Sequence, residues 1–306
     1  MRRRSDYPAY LGLRLLLSAM RPLPRPLSLA AGAALGRAAR DLFGMRRDVA
    51  DRNLAVAFPE LDAAARRALA RRSYAHFGRV AAESLLLAGG GPTAVPPLVG
   101  RFEGEELLRS AVALGRGIIM LTGHLGNWEL AGSFVAALGL PVAAVVKPPS
   151  NRWVAGYLER SRRRAGMETI PMPEAVAAVP RALAAGKVVG LVADQGAIRS
   201  ATWVPFFRRP TQTAVGPGLF AARTGAPVLF GGLIAEPRGR YRAFVEMLDD
   251  APKGDAATLV VRIATLYRQR LEAAVRTAPE QYLWTHRLWG RQPPRSAPAP
   301  AAPAAR

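Results

Sequence analysis

The chain of 306 residues contains no cysteine. That excludes disulfides, thiolate metal sites and a cysteine nucleophile. Only three histidines occur, at 76, 124 and 286, too few for a histidine-rich metal centre, so no metal is expected. The serine-hydrolase elbow G-x-S-x-G, the Walker A pattern and G-x-G-x-x-G are also missing, which favours direct transfer assisted by a general base. Acidic residues are scarce: 22 stand against 43 Lys and Arg, a formal charge of +21. Nearly all of that positive charge is Arg, and it implies an anionic partner such as nucleic acid, an acidic membrane surface or an acidic protein. In the first fifty residues no uncharged run reaches eighteen residues, which disfavours a spanning helix there.

Half the residues are hydrophobic, enough for one large folded domain or two small ones. The first fifty carry ten Arg against three Asp, interleaved with Leu15, Leu16, Leu17 and Met20. Arg14, Arg21 and Arg25 interrupt the apolar stretch and Pro22, Pro24 and Pro26 break it, a poor pattern for a signal peptide. Such a segment suits an element lying in the interface of an anionic bilayer, or equally an amphipathic helix packed on the core with a solvated Arg face. A helix capped by Asp62 then runs to about Leu87, and Gly89 to Gly91 with Pro92, Pro96 and Pro97 mark a loop.

Beyond the loop the pattern alternates. Strands are expected at 117–122, 141–146, 167–172, 187–193, 226–234 and 241–248, with helices at 127–138, 151–165, 174–185, 213–224 and 255–276. This implies an α/β fold with a mostly parallel central sheet flanked by helices, preceded by a helical region. The expected division is a basic, membrane-associating helical region over 1–97, an α/β domain over 98–290, and a disordered Pro- and Ala-rich tail over 291–306.

The stretch GIIMLTGHLGNWE, Gly117 to Glu129, runs from an apolar strand into a glycine-containing turn and then a helix for which Asn127 is the expected cap. His124 falls in the turn and Glu129 in the first helical turn, at the sheet edge where α/β enzymes keep their chemistry. The helix dipole favours an ionised Glu129 and a neutral His124, as a general base requires. Gly123 and Gly126 permit close backbone approach, and free N–H groups at the helix start could face an oxyanion. A turn histidine beside a solvated acid is the plainer alternative. Asp194 and Gln195 follow another strand at the same edge, though an Asp there is often a cap. Arg160, Arg162, Arg163 and Arg164 end a helix and suit either its dipole or an anion. Trp284, His286, Arg287 and Trp289 suit either core packing or a lipid-interface belt.

In order, RNLAVAFPEL at 52–61, Glu83, GHLGNWE at 123–129, RSRRRAG ending at Gly166, VADQG at 192–196, VPFFRRPTQTAVGPGLFAARTGAPV at 204–228 and YLWTHRLW at 282–289 resemble the bacterial lipid A biosynthesis acyltransferases, within the lysophospholipid acyltransferase superfamily. The likeness covers roughly residues 8 to 290 and implies a glycerolipid acyltransferase-like fold. His124 and Glu129 match the family's H-x4-D/E pair. By that resemblance His124 would deprotonate an acceptor hydroxyl and Glu129 would orient and charge-balance its imidazole. Gly126, Asn127, Arg162 or Arg164, Asp194 and Gln195 are implied to bind or position substrate. The implied donor is an acyl thioester on acyl carrier protein or coenzyme A, serving as co-substrate with no further cofactor. The acceptor would be a glycolipid, by default a lipid A precursor, with a phosphatidylinositol mannoside or another glycolipid as the alternative. The implied place is the cytoplasmic face of the bacterial inner membrane, held peripherally or monotopically on its anionic surface. No nucleic acid is expected, because no recognised nucleic-acid module occurs and the Arg residues are spread along the chain. At Phe206-Phe207-Arg208-Arg209 the chain departs from the family, where a Gly commonly follows the two Phe.

Overall fold

A computed structural model describes residues 6–87, 90–195 and 201–289; the tail over 291–306 and Gly196 of the VADQG stretch lie outside them. Helices α1 (Asp6–Met20), α2 (Arg25–Asp41), α3 (Arg47–Ala57) and α4 (Ala63–Leu87) come first. They are followed by β1 (Val99–Glu103), α5 (Glu105–Ala113), β2 (Ile118–Thr122), α6 (Trp128–Ala137), β3 (Val142–Val146), α7 (Arg152–Arg164), β4 (Met167–Pro171), α8 (Ala175–Ala184) and β5 (Val188–Val192). A hairpin of β6 (Ala201–Phe206) and β7 (Arg209–Ala214) leads to α9 (Gly216–Thr224), β8 (Val228–Ala235), β9 (Tyr241–Asp249) and α10 (Ala256–Thr277).

Seven strands form one sheet in the order β1-β9-β8-β2-β5-β3-β4. Every pair is parallel except β8 with β9, so the fold is the α/β class with a mostly parallel sheet. β2 shows why an unbroken apolar run suits its place. Ile119 and Leu121 point into one core and Ile118 and Met120 into another on the opposite face, so the strand is covered on both sides. The first of these cores also contains Ala50, Leu54, Phe58, Leu69 and Tyr74. Helices α3 and α4 therefore share the hydrophobic core of the sheet.

α2 crosses α4 at glycines. A Cβ on Gly78 would strike the Gly32 carbonyl, and one on Gly36 would strike that of Tyr74. Only glycine lets the two backbones approach so closely.

The expected elements fall within a few residues of the observed ones, with these differences. β1, α5 and the β6–β7 hairpin are additional. The helix expected from 213 starts at Gly216, because 209–214 pairs antiparallel with 201–206. That hairpin turns on Phe207 and Arg208, both in the left-handed region at φ 50 and 58°, so Arg208 takes the conformation for which the family commonly uses Gly. No helix among the described residues is long and apolar enough to cross a membrane.

Candidate active site

His124 sits where β2 ends. Its turn is clamped from three sides. The Gly126 N–H donates to the Gln281 carbonyl at 2.9 Å, Leu283 N–H donates to the His124 carbonyl at 3.0 Å, and Asn127 N–H donates to the Leu233 carbonyl at 2.9 Å. Gly126 is at φ +61°, and a Cβ there would collide with the Leu233 carbonyl. Its own carbonyl accepts from buried His76 Nε2 at 3.1 Å. Burial lowers the His76 pKa to about 4, with the Gly126 bond pulling the other way, so His76 is a neutral donor. The carboxy-terminal segment that clamps the turn is itself held by Asn53, whose Nδ2 donates to the carbonyls of Trp284 at 2.7 Å and His286 at 2.6 Å.

Asp194, emerging from the carboxyl end of β5, grips His124 twice. Its Oδ1 lies 2.7 Å from Nδ1 of the ring and its Oδ2 accepts the His124 backbone N–H at 2.9 Å. Asp194 is buried, while the imidazole keeps 19% exposure. A carboxylate on Nδ1 fixes the tautomer with its proton there and leaves Nε2 unprotonated in the neutral ring. Gln195 Nε2 lies 3.3 Å from both ring nitrogens. Burial disfavours charge on His124, but the Asp194 charge and hydrogen bond, with the Glu129 charge behind them, raise its pKa. Burial likewise works against an ionised Asp194, yet His124 and then Arg268 hold its carboxyl below the usual range. Asp194 thus overrides the helix dipole that the turn sequence alone would put in charge of His124.

Glu129 does not hold the imidazole. Its carboxylate is taken by Arg162, with contacts of 2.7, 3.0 and 3.2 Å, and the orienting contact expected of it is made by Asp194. Arg164 is exposed, so Arg162 is the member of the Arg cluster that reaches the site. Asn127 caps α6 by accepting the Leu130 N–H at 3.2 Å, but it is fully buried rather than facing substrate. Its Nδ2 donates to Glu83 Oε2 at 3.3 Å and Tyr241 at 3.2 Å, and Glu83 in turn pairs with Arg25 of α2. Gly126 serves the turn by packing under Leu233 in the same way. Of the helix-start N–H groups, those of Gly126, Asn127 and Leu130 are occupied; Trp128 and Glu129 keep theirs free among the described residues.

Trp128 stands edge-on to the His124 ring, centroids 4.9 Å apart. Trp128, Glu129 and Arg162 also line a cavity of about 360 Å³ whose remaining wall is largely apolar, including Leu13, Phe77, Val80 and Leu158. A small-molecule pocket has this size and character. The carboxy-terminal aromatics are core: Trp284 is fully buried against Phe58 and Phe207, and Trp289 donates to Thr211 at 2.8 Å. Sequence reasoning passed over His76, Asn53 and Arg268. For Arg268 a signal existed, since it falls between buried Ala264 and Leu271 at helical spacing.

An oriented histidine at the carboxyl edge of a parallel sheet, edge-on to a tryptophan that lines an apolar cavity, is compatible with group transfer involving an apolar substrate. The model of the bacterial lipid A biosynthesis acyltransferases matches residues 2–291, and the chain belongs to that family; it is an acyltransferase of glycolipids. It is 26% identical to the lipid A biosynthesis palmitoleoyltransferase of Escherichia coli over 89% of this chain and 87% of the relative. It is 25% identical to the lauroyltransferase of the same organism over 89% and 88%. To a phosphatidylinositol mannoside acyltransferase of Mycobacterium tuberculosis it is 29% identical, over 56% of this chain and 55% of the relative.

Proposed function

We propose that the protein is a membrane-associated O-acyltransferase that moves a fatty acyl chain from a thioester of acyl carrier protein or coenzyme A to a hydroxyl of a glycolipid. The observation that carries this reading is His124, held at Nδ1 by Asp194, with the imidazole partly exposed and edge-on to Trp128, which lines the apolar cavity. Nε2 takes the proton of the acceptor hydroxyl as its oxygen bonds to the thioester carbonyl carbon. The resulting oxyanion has the free N–H groups of Trp128 and Glu129 as candidate donors. When the intermediate collapses, the C–S bond breaks and the departing thiolate receives the proton from Nε2, which restores the base. The thioester itself supplies the activated carbonyl, so no cofactor is invoked. The cavity suits the hydrocarbon chain, and the Arg162–Glu129 pair at its wall suits the polar group where chain meets carbonyl.

A lipid A precursor is the acceptor best supported, because the relatives named for lipid A match over most of the chain. A phosphatidylinositol mannoside is the second reading, resting on the shorter mycobacterial match. Exposed Leu15, Leu16, Leu27, Leu35, Leu42 and Phe43 on and after the first two helices, together with the excess of Arg, support peripheral docking on an anionic bilayer. His124→Ala should lower transfer of a labelled acyl chain by about 10²- to 10⁴-fold, the share a general base contributes. Unchanged turnover in a folded variant would refute the mechanism. Mass spectrometry of lipids from cells with and without the protein identifies the acceptor by its missing chain.

A further inference from the structure

Arg268 of α10 is completely buried. Its Nε donates to Thr213 Oγ1 at 2.8 Å, and one terminal nitrogen donates to the carbonyls of Asp194 at 2.9 Å and Gln212 at 3.0 Å. The other terminal nitrogen, Nη1, has no hydrogen-bond partner among the described residues. The guanidinium also lies over the Phe206 ring, 4.8 Å from its centroid. A buried charge this poorly saturated by hydrogen bonds demands a counter-charge nearby.

The acids near the site are few. Glu129 is engaged by Arg162, and Glu83 by Arg25. Asp194 remains, buried to 2% exposure and bonded through its own backbone to Arg268. We infer that Arg268 is a positioning residue for the reaction: its guanidinium neutralises the Asp194 carboxylate, so that His124 can give up its proton and serve as a base. With Arg268 present, neutral His124 leaves a buried pair of net charge zero. Without it, neutral His124 would strand a lone carboxylate in the interior, and the imidazole would hold its proton more tightly.

The groups facing His124 fit this division of labour. Asp194 and Gln195 follow β5, Trp128 and Glu129 stand on α6, and half-buried His286 lies in the carboxy-terminal segment. Tyr267 and Tyr282 pack around Asp194 as buried hydroxyls, both with pKa values raised by burial and by the Asp194 charge. His286 is pushed toward its neutral form by burial, with Asp194 drawing it the other way. Arg268 is thus the cation that shares the interior with Asp194 whatever the state of His124. The inference rests on the reading of His124 as the base.

Two measurements on the full-length protein test it. Turnover against pH is recorded for the wild type, Arg268→Met and Arg268→Lys. Thermal stability is recorded for Arg268→Met, Asp194→Asn and the double variant. In Arg268→Met, activity at about pH 6 should fall about tenfold further than on the alkaline plateau, the effect of one lost opposite charge felt through the pair. Arg268→Lys keeps the charge but not the fork of hydrogen bonds, so its acid limb should stay where the wild-type limb lies. Profiles of unchanged shape in Arg268→Met, or equal displacement in both variants, would overturn the inference, since a purely structural role lowers activity at every pH alike. In the stability cycle the double variant should lose less than the sum of the single losses, and should fold even where Arg268→Met does not. Additive losses, or a double variant no more stable than Arg268→Met, would likewise overturn it. Turnover indifferent to His124→Ala would refute the base assignment alone, and the stability cycle would still judge the pairing of Arg268 with Asp194.

Discussion

At His124 two influences oppose each other. Burial favours the neutral ring; the Asp194 carboxylate, its hydrogen bond and the Glu129 charge favour the imidazolium, and they prevail. On the proposed function His124 is the base and must be neutral to act, so turnover should rise with pH through a value above the ordinary 6.5 of histidine. Asp194→Asn removes the charge while keeping the shape. Burial would then dominate and the acid limb should move to lower pH, opposite in sign to Arg268→Met. Turnover on the plateau should fall about a hundredfold or more as Nε2 loses its fixed tautomer. A pH-rate profile for the variant checks both effects, and a limb that stays in place would sink the assignment of Asp194 as the dominant charge. Stability follows the same pair with opposite signs. His124, raised in the fold, contributes below its unfolded pKa and loses that contribution as pH rises through the folded value. Asp194, lowered in the fold, contributes above its unfolded pKa and loses that as pH falls through the folded value. The pair therefore stabilises most between the two unfolded values, 3.8 for the carboxyl and 6.5 for the imidazole, and weakens outside them.

Among elements, the crossing of α2 on α4 is the least tolerant of change. Each of Gly32, Gly36 and Gly78 faces a backbone atom of the other helix, and backbone cannot swing aside as a side chain can. Gly78→Ala should therefore cost about 2–3 kcal/mol despite the better helix propensity of Ala, because overpacking forces the helices apart. A melting temperature at or above that of the wild type would show that α2 shifts freely on α4. The same elements mark how far the sequence could be read. Strands such as β2 and β5 were legible because a strand buried on both faces is apolar throughout. Asn127 and Asp62 announced helix starts that the structure keeps, Asp62 accepting the Ala65 N–H at 2.7 Å. β1 was missed because Val-Gly-Arg-Phe-Glu is short, mixed in polarity and at the sheet edge. α5 was missed because its cap is Gly104 at φ 84°, not an Asn, Asp or Ser. The β6–β7 hairpin hid behind Pro205 and Pro210 and a turn with no Asn-Gly. At the site, His124, Glu129, Arg162 and Asp194 were all visible as residues, but their pairing was not. Sequence proximity joined His124 to Glu129, whereas the sheet brings Asp194, seventy residues on, to the imidazole.

The whole molecule joins a cationic surface to an apolar one. Net charge is +21, and ten of the large exposed hydrophobic side chains fall between Tyr7 and Met45. α1 turns Leu13 to the wall of the cavity and Leu15 and Leu16 to solvent, so a single helix lies between the cavity and the surface suited to lipid. On the proposed function, that placement would let an acceptor remain in the bilayer while the donor chain occupies the cavity. Each apolar side chain that leaves water for the acyl boundary contributes in proportion to its area, and the Arg residues add attraction to anionic headgroups that salt screens. The full-length protein should therefore sediment with vesicles containing phosphatidylglycerol, more weakly with pure phosphatidylcholine, and less as salt is raised. Leu42 and Phe43 are 79% and 77% exposed at the end of α2. Changing both to Ser should weaken vesicle binding about tenfold or more while leaving the melting temperature near that of the wild type. Binding that ignores lipid charge, salt and this pair together would mean that the exposed surface of the first helices meets something other than a bilayer.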